Sequence, residues 1–267
     1  MIGISPAYYL SLFSKKFTFS DMVSSLYQLE ELEYNAMQIE VFYPEQLEEW
    51  TDTNCEKLKI ASVESGIKLS QFVAHFLLDT FVSPETLSSE AGLAEIERIS
   101  LFLKRFKLTD LVTIPLGVFR GVHTESVQSD FVQKLSRMKD ILKKQGQRMA
   151  VEPMPGSLGS DLKILKSLPE LGLNLDPGHI LCSGLDPFNL DESVMNRVFA
   201  THLCDNNGRE NTSDIPGTFH SREDWGMLLE NLKNAGFQGS LDVEIICPAE
   251  EVVSRYRTGR IFLKSFE

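Results

Sequence analysis

The sequence predicts an α/β protein folded as one closed (β/α)₈ barrel, a TIM barrel, that occupies residues 1–267 as a single domain. Three observations support this fold class. Short apolar or β-rich runs alternate with longer helical patterns along all 267 residues. The connections are long enough for successive strands to pair in parallel. The first predicted strand lacks the Gly-rich fingerprint that would favour the alternative, a doubly wound dinucleotide-binding sheet.

Eight segments are predicted as strands because they are short, apolar and bounded by turn signals. In chain order they are residues 2–5, 36–42, 67–74, 110–115, 148–153, 172–176, 198–204 and 240–246.

The segments between the strands carry apolar residues at helical spacing. The clearest is "SVQSDFVQKLSRMKDILKKQGQ", in which the amphipathic pattern stops at a glycine, as helices often do. The sequence contains no Pro-, Gly- or Ser-rich linker and no sharp change of composition, which favours one domain. The predicted helices lie near residues 19–32, 50–65, 85–106, 125–145, 159–167, 188–195, 221–235 and 249–264.

Composition narrows the class of protein. The chain is 42% hydrophobic and 24% charged, which is typical of a globular protein with a large core. A net charge of −12 makes a nucleic acid an unexpected partner, because phosphate binding needs a basic surface. No apolar run approaches the roughly 20 residues that span a bilayer, and the N-terminus lacks a signal-peptide pattern, so we expect a cytoplasmic protein without a membrane partner. The four cysteines include no CxxC pair, which argues against a disulfide framework or a zinc knuckle.

Active sites of such barrels lie at the C-terminal ends of the strands. The last four predicted strands end in three carboxylates and one imidazole. Adjacent strands lie about 4.8 Å apart, so these four side chains can converge. In order, the residues at the eight strand ends are Ser5, Glu40, His75, Pro115, Glu152, Asp176 with His179, His202 and Glu244.

Converging carboxylates inside a barrel would repel one another and lose hydration. One divalent cation would remove that penalty, and carboxylate oxygens with one imidazole nitrogen suit Mn²⁺, the expected ion, or Mg²⁺, Co²⁺ or Zn²⁺. Each residue has a simpler interpretation, such as Asp176 forming a turn before Pro177 or His202 being a core histidine. A single metal accounts for all of them together. The predicted ligands are Glu152, Asp176, His202 and Glu244.

Five motifs resemble the xylose isomerase-like barrel superfamily, which includes sugar isomerases and epimerases, inosose dehydratases and apurinic endonucleases. They are "VEPMPG", "LDPGH", "THLCDNNG", "IPGTFHSREDW" and "LDVEI". The resemblance covers nearly the whole chain, although the first 110 residues are less diagnostic. It implies the same barrel and the same four metal ligands. It also implies that His179 contacts substrate, as in the sugar enzymes, or a second metal, as in the endonucleases.

The sequence departs from the endonuclease branch of this superfamily. That branch carries an aspartate and a histidine before the "PG" of the seventh loop, where this chain has Asn211 and Ser213. Its histidine after the fourth strand is missing from "TIPLGVFRG". His75 matches its third-strand histidine but cannot hold a metal cluster alone. A single-metal site is therefore expected.

The function expected from these residues and this resemblance is a divalent-metal-dependent sugar isomerase or epimerase. Such an enzyme moves a proton next to a carbonyl through an enediolate, and the resemblance assigns the acid and base roles to Glu152 and Glu244. Arg209, in the seventh loop, is a candidate for an anionic substrate group. The candidate substrate-binding residues are His179, His75, Glu40, Arg209 and His220.

Three alternatives stay open. A metal-dependent polyol dehydratase would need the same ligands, an apurinic endonuclease-like phosphodiesterase would need three metals, and a non-catalytic binding protein would need none. The expected partner is a small carbohydrate. Assembly into a homo-oligomer is usual for relatives.

Overall fold

Eight short parallel strands form the centre of the molecule. The computed structural model describes residues 1–119, 124–156 and 158–267, without the side chains of residues 158–161. The strands are β1 (Ile2–Ile4), β2 (Ala36–Val41), β3 (Lys68–Ala74), β4 (Leu111–Leu116), β5 (Arg148–Pro153), β6 (Gly172–Leu175), β7 (Val198–Thr201) and β8 (Leu241–Val243).

The strands pair in the order β7-β6-β5-β4-β3-β2-β1-β8, and every pairing is parallel. One parallel bridge between Leu203 and Val243, just past the end of β7, joins the two ends of this order. There the Leu203 N–H donates to the Asp242 carbonyl at 2.7 Å, and the Glu244 N–H donates to the Leu203 carbonyl at 3.0 Å. The predicted (β/α)₈ barrel is thus confirmed.

Helices cover the outside of the barrel. Many of them begin at a side-chain cap: Thr18, for example, accepts from the Asp21 N–H while the Asp21 side chain accepts from the Thr18 N–H. The helices are α1 (Ala7–Phe13), α2 (Phe19–Glu31), α3 (Asp52–Ser65), α4 (Pro84–Ser88), α5 (Leu93–Phe106), α6 (Glu125–Lys144), α7 (Leu158–Ser167), α8 (Pro177–Cys182), α9 (Glu192–Met195), α10 (Arg222–Asn234) and α11 (Val252–Lys264). Short 3₁₀ turns occupy Pro44–Glu49, His75–Phe81, Pro187–Asn189 and Ala249–Glu251.

The structure corrects several predicted boundaries. The predicted helix 85–106 is two helices, α4 and α5, separated at Gly92, whose φ of +87° is left-handed. The predicted helix 188–195 is a 3₁₀ turn followed by the one-turn helix α9. The last three strands end earlier than predicted, because the chain leaves the regular ladder where the polar side chains begin. Asp176, His202 and Glu244 therefore follow their strands directly.

The main core lies between the strands and the helices, whereas the barrel interior is strongly polar. Gln38 and Asp242 hydrogen-bond to each other across the interior, and Thr113 donates to Gln71 on the neighbouring strand. All four side chains are buried.

Within the described residues, no helix is both long and apolar enough to cross a membrane.

Candidate metal centre

Four consecutive strands, β5 to β8, deliver the predicted ligands to the C-terminal mouth of the barrel. Glu152 lies within β5, and Asp176, His202 and Glu244 each stand one residue beyond β6, β7 and β8. Glu152, Asp176 and His202 are buried, and the side chain of Glu244 is 13% exposed. The strand ends therefore place the predicted ligands in one water-poor region.

The ligand atoms of Glu152, Asp176 and His202 lie within 4.8 Å of one another. Nδ1 of His202 is 2.8 Å from Oε1 of Glu152 and 3.1 Å from Oε2 of Glu244. Glu244 contacts the imidazole but is not one of the three side chains in the tight group. The structure thus brings three predicted ligands together and places the fourth against His202.

Asp176 divides two tasks between its carboxylate oxygens. Oδ1 accepts from the His179 N–H at 3.0 Å and from the Cys204 thiol at 3.2 Å, so it caps α8. Oδ2 is buried and accepts no hydrogen bond from any residue that the structure describes. Nε2 of His179 lies 3.4 Å from this oxygen without forming a hydrogen bond, and a buried carboxylate oxygen in this position is suited to a cation. The capping role and the ligand role, which the sequence offered as alternatives, are therefore compatible.

Gly178 allows this arrangement because the turn after β6 passes very close to the loop after β7. A Cβ at position 178 would lie 2.6 Å from Sγ of Cys204 and 3.2 Å from Oδ1 of Asp176. Any side chain there would push Cys204 or Asp176 away from its hydrogen bonds. The "LDPGH" motif thus needs its glycine for close approach.

His202 is held from its other side by Gln38, a residue that the sequence analysis did not single out. Nε2 of His202 lies 2.7 Å from Oε1 of Gln38, and both side chains are buried. One signal was available: Gln38 and Glu40 are two polar residues of the same parity in an otherwise apolar strand, which places both on one face.

The buried charges shift one another's pKa values. Burial disfavours the charged imidazole, yet the carboxylates of Glu152 and Glu244 outweigh it and raise the pKa of His202 to about 10. Burial also opposes ionisation of Glu152, but its contact with His202 lowers the pKa of that carboxyl. For Glu244, burial dominates and raises the pKa. Glu152 and Glu244, the predicted acid and base, therefore differ in their affinity for a proton.

Two of the candidate substrate-binding residues, His179 and Glu40, lie close to this group. His179 lies 3.4 Å from Asp176 through Nε2 and 3.8 Å from Glu152 through Nδ1, which also lies 3.1 Å from the Pro153 carbonyl. Glu40 is buried with Oε2 unpartnered among the described residues, and burial raises its pKa well above the usual value. Glu152, Glu244 and His202 all act electrostatically on Glu40.

His75 forms part of an aromatic wall on the β2–β3 side of the mouth. Its ring stacks on Phe42 with centroids 4.0 Å apart and an interplanar angle of 14°. Burial lowers the pKa of His75 to about 4, so its imidazole is neutral at physiological pH. Nζ of Lys15 lies 4.9 Å from the centroid of the other ring, Phe42.

The other two candidates, Arg209 and His220, belong to the long loop after β7. Arg209 is exposed, and its N–H donates to Oδ1 of Asn207. His220 is partly exposed and its Nδ1 lies 2.6 Å from Oδ1 of Asp205. Their substrate contacts stay predictions.

Asp205 organises this loop and was missed in the sequence analysis. It is fully buried, and its Oδ2 accepts backbone N–H bonds from Gly217, Phe219 and His220 at 2.9–3.2 Å. The sequence offered one signal for Asp205, namely its position in "THLCDNNG", three residues after His202.

The expected difference from the endonuclease branch can be examined in the described part of the chain. There, one group of three His, Cys, Asp or Glu side chains is tight enough to hold a metal, and it is the group of Glu152, Asp176 and His202. At the seventh-loop positions, Asn211 is exposed, and Ser213 is buried with a left-handed φ of +47°.

Comparison with known proteins agrees with this architecture. A D-psicose 3-epimerase solved in the presence of D-fructose superposes with a TM-score of 0.77 at 13% identity, covering 99% of this chain and 98% of that one. The 3-keto-D-glucoside 4-epimerase YcjR from E. coli gives 0.71 at 17%, covering 99% and 98%. The IOLI protein with a zinc atom gives 0.71 at 17%, covering 100% and 99%. At such identities these likenesses show the fold.

No protein of curated function matches the sequence. Residues 26–266 match the family described as xylose isomerase-like TIM barrel, which is most of the chain and includes all five motifs. The chain belongs to the xylose isomerase-like TIM barrel family.

Proposed function

We propose that this protein is a divalent-metal-dependent sugar isomerase or epimerase. The observation that carries the proposal is the buried group of Glu152, Asp176 and His202, whose ligand atoms lie within 4.8 Å of one another at the mouth of the barrel. Two of the structural neighbours named above are sugar epimerases, and a third was solved with zinc.

The residues fit a metal by their chemistry. Glu152, Asp176 and His202 would hold the ion, together with Glu244. Oδ2 of Asp176, which accepts no hydrogen bond among the described residues, would supply a buried oxygen for it. A bound divalent ion would act as a Lewis acid on the carbonyl and hydroxyl oxygens of a sugar. We propose Mn²⁺ as the native ion, because three oxygens and one nitrogen suit it.

Glu152 and Glu244 are the proposed acid and base. They come from β5 and β8, which are not neighbours in the barrel, so they approach the site from different directions. One carboxylate removes the proton from the carbon next to the carbonyl, and the electron pair moves to the carbonyl oxygen to give an enediolate. The other returns a proton from the opposite face to complete an epimerisation.

Substrate recognition is assigned to the residues around this pair. His179, which lies beside Asp176 and Glu152, is proposed to hydrogen-bond a sugar hydroxyl, and so is the buried Glu40. The neutral His75 and its stacked partner Phe42 offer an apolar face to a sugar ring. Arg209 and His220, in the loop after β7, are proposed to contact the substrate, with Arg209 binding an anionic group if the substrate carries one.

The test combines metal analysis with activity on a panel of ketoses, aldoses and cyclic polyols. Elemental analysis of the purified protein is expected to give one divalent ion per chain. The Glu152→Gln and Glu244→Gln variants are expected to lose at least about 100-fold in turnover, the usual contribution of a general acid or base. Glu250→Gln serves as the matched control, because Glu250 follows the same strand as Glu244 but is exposed.

Isotope exchange checks the proton step directly. Reaction in D₂O is expected to place deuterium on the carbon next to the carbonyl. Each glutamine variant should fail to interconvert the epimers, while its remaining carboxylate still exchanges the proton on its own face. Full activity in both variants, or turnover of a polyol with loss of water and no isomerised sugar, would contradict the assignment.

A further inference from the structure

A second layer of polar side chains lies inside the barrel. It is two residues closer to the N-terminal ends of the strands than the metal centre. Gln38 and Asp242 stand two residues before Glu40 and Glu244 in β2 and β8. Side chains two residues apart on a strand point to the same side, so these residues face the interior. Gln38 is 0% exposed and Asp242 is 1% exposed. Polar groups buried this deeply require hydrogen-bond partners. The hydrogen bonds of Gln38 and Asp242 connect them to His202.

The side-chain amide of Gln38 has a fixed orientation. Its Nε2 donates to Oδ2 of Asp242 at 2.8 Å and to the Thr201 carbonyl at 3.1 Å. Carboxylate and carbonyl oxygens are acceptors, so both amide hydrogens are used. A flipped amide would set Oε1 against two acceptors. Oε1 of Gln38 therefore faces His202.

Because Oε1 is an acceptor, Nε2 of His202, 2.7 Å away, must carry a hydrogen. Nδ1 is then the ring nitrogen left for the carboxylate side, where it faces Glu152 and Glu244. We propose that Asp242, acting through Gln38, is a positioning residue that fixes the tautomer of His202 so that Nδ1 is the metal-binding nitrogen. This inference rests on the proposed metal-dependent function.

The rest of the interior is built to hold Asp242 in place. Oγ of Ser70, on β3, donates to Oδ2 of Asp242 at 3.1 Å. On β1, a Cβ at Gly3 would lie 2.0 Å from Oδ1 of Asp242, so only glycine leaves room for the carboxylate. Five strands, β1, β2, β3, β7 and β8, thus contribute to the orientation of one imidazole.

The first test measures the affinity for Zn²⁺, by competition with a chromophoric chelator. Gln38→Met keeps the length of the side chain and removes the hydrogen bonds, so we expect Zn²⁺ to bind about 10- to 100-fold more weakly, the usual effect of losing an outer-shell partner. Gln71→Met is the matched control, because Gln71 is also fully buried inside the barrel but pairs with Thr113. It should leave the affinity unchanged.

The second test reads the tautomer itself. In the Zn²⁺-loaded protein, ¹⁵N NMR of the five histidines is expected to show His202 protonated at Nε2, with its signals assigned by their loss in His202→Gln. In Gln38→Met, the spectrum should no longer show His202 with its hydrogen fixed on Nε2. In Gln71→Met, the Nε2 hydrogen should still be seen. A purely structural role for Gln38 would not change the tautomer.

A charge-neutral swap guards against simple misfolding. Gln38→Glu alone sets two carboxylates against each other and should weaken Zn²⁺ binding. Combining it with Asp242→Asn lets the new amide donate to the new carboxylate, which can still accept from His202. The Thr201 carbonyl loses its donor in this double variant, so the affinity and the Nε2 hydrogen should return in part.

The possible outcomes separate this inference from the function on which it rests. Absence of Zn²⁺ binding in the natural sequence would overturn the proposed function and this inference with it. Intact Zn²⁺ binding together with an unchanged affinity and tautomer in Gln38→Met would overturn the inference alone.

Discussion

Single residues at the metal centre perform more than one task. Asp176 caps α8 with one oxygen and leaves the other without a donor among the described residues. His202 contacts Glu152 and Glu244 through one nitrogen and Gln38 through the other. Each of these side chains is thereby fixed in direction before any ligand arrives, which lowers the entropic penalty of binding.

The raised pKa of His202 leads to a prediction about the metal-free protein. The pKa is about 10 in the folded state against 6.5 for a free imidazole. A group whose pKa is raised by folding stabilises the fold fully at pH values below its pKa in the unfolded state. This stabilisation is lost as the pH rises through its pKa in the folded state. Thermal unfolding in the presence of a chelator is therefore expected to show a falling Tm between pH 7 and 10.

The control for this pH dependence is His202→Gln, which removes the titrating group. Its Tm should change less over the same range. Equal pH dependence in both proteins would show that the charge on His202 does not contribute to stability.

At the scale of elements, close contacts between strands decide which side chains fit inside the barrel. Gly3 on β1 pairs with Ala36 on β2 and with Asp242 on β8. A Cβ at position 3 would lie 2.8 Å from Cβ of Ala36 as well as 2.0 Å from Oδ1 of Asp242. The "IGIS" strand therefore needs its glycine for packing between two neighbours.

We predict that Gly3→Ala lowers the free energy of unfolding by about 1–3 kcal/mol, the usual effect of overpacking. It should also weaken Zn²⁺ binding, because the displaced Asp242 no longer orients Gln38.

Gly226→Ala is the comparison, since its Cβ in α10 would meet Phe266 at an ordinary 3.4 Å. That variant should be more stable by up to about 1 kcal/mol through helix propensity. Urea denaturation measures both, and equal stability of Gly3→Ala and the natural sequence would contradict this view.

At the scale of the whole molecule, the last helix holds the closing strand of the barrel. Tyr256 of α11 is fully buried, and its hydroxyl donates to the Ile245 carbonyl at 3.0 Å and accepts from the Ile245 N–H at 3.2 Å. The Tyr34 hydroxyl donates to the Tyr256 carbonyl at 2.7 Å, and Tyr8 packs edge-on against the Tyr256 ring. These contacts tie the residue after Glu244 to both ends of the chain.

Tyr256→Phe is expected to lower the free energy of unfolding by about 1–3 kcal/mol. The buried Ile245 N–H loses its partner, and the Ile245 carbonyl keeps only the Ser11 hydroxyl at 3.5 Å. Tyr27→Phe removes a hydroxyl that is exposed and bonded to Glu64, so it should change stability by less than about 0.5 kcal/mol. Urea denaturation of both variants measures the difference. A similar stability for the two would argue against a special role of Tyr256.

Local sequence patterns were enough to predict the barrel, the number and order of its strands, and the strand ends from which a metal centre could be built. These features follow from local periodicity and from the rule that parallel strands bring their C-terminal ends to one edge. Residues such as Glu152 and His202 could be selected in this way because polar side chains interrupt apolar strands.

The contacts among these residues could be learned only from the folded chain. Gln38 accepts a hydrogen bond from His202 and donates one to Asp242, and these bonds join positions 164 and 204 residues apart. The break between α4 and α5 depends equally on distant neighbours, because a Cβ at Gly92 would lie 2.8 Å from Met138. Local patterns contain no information about such distances, since the contacts exist only after the barrel has closed.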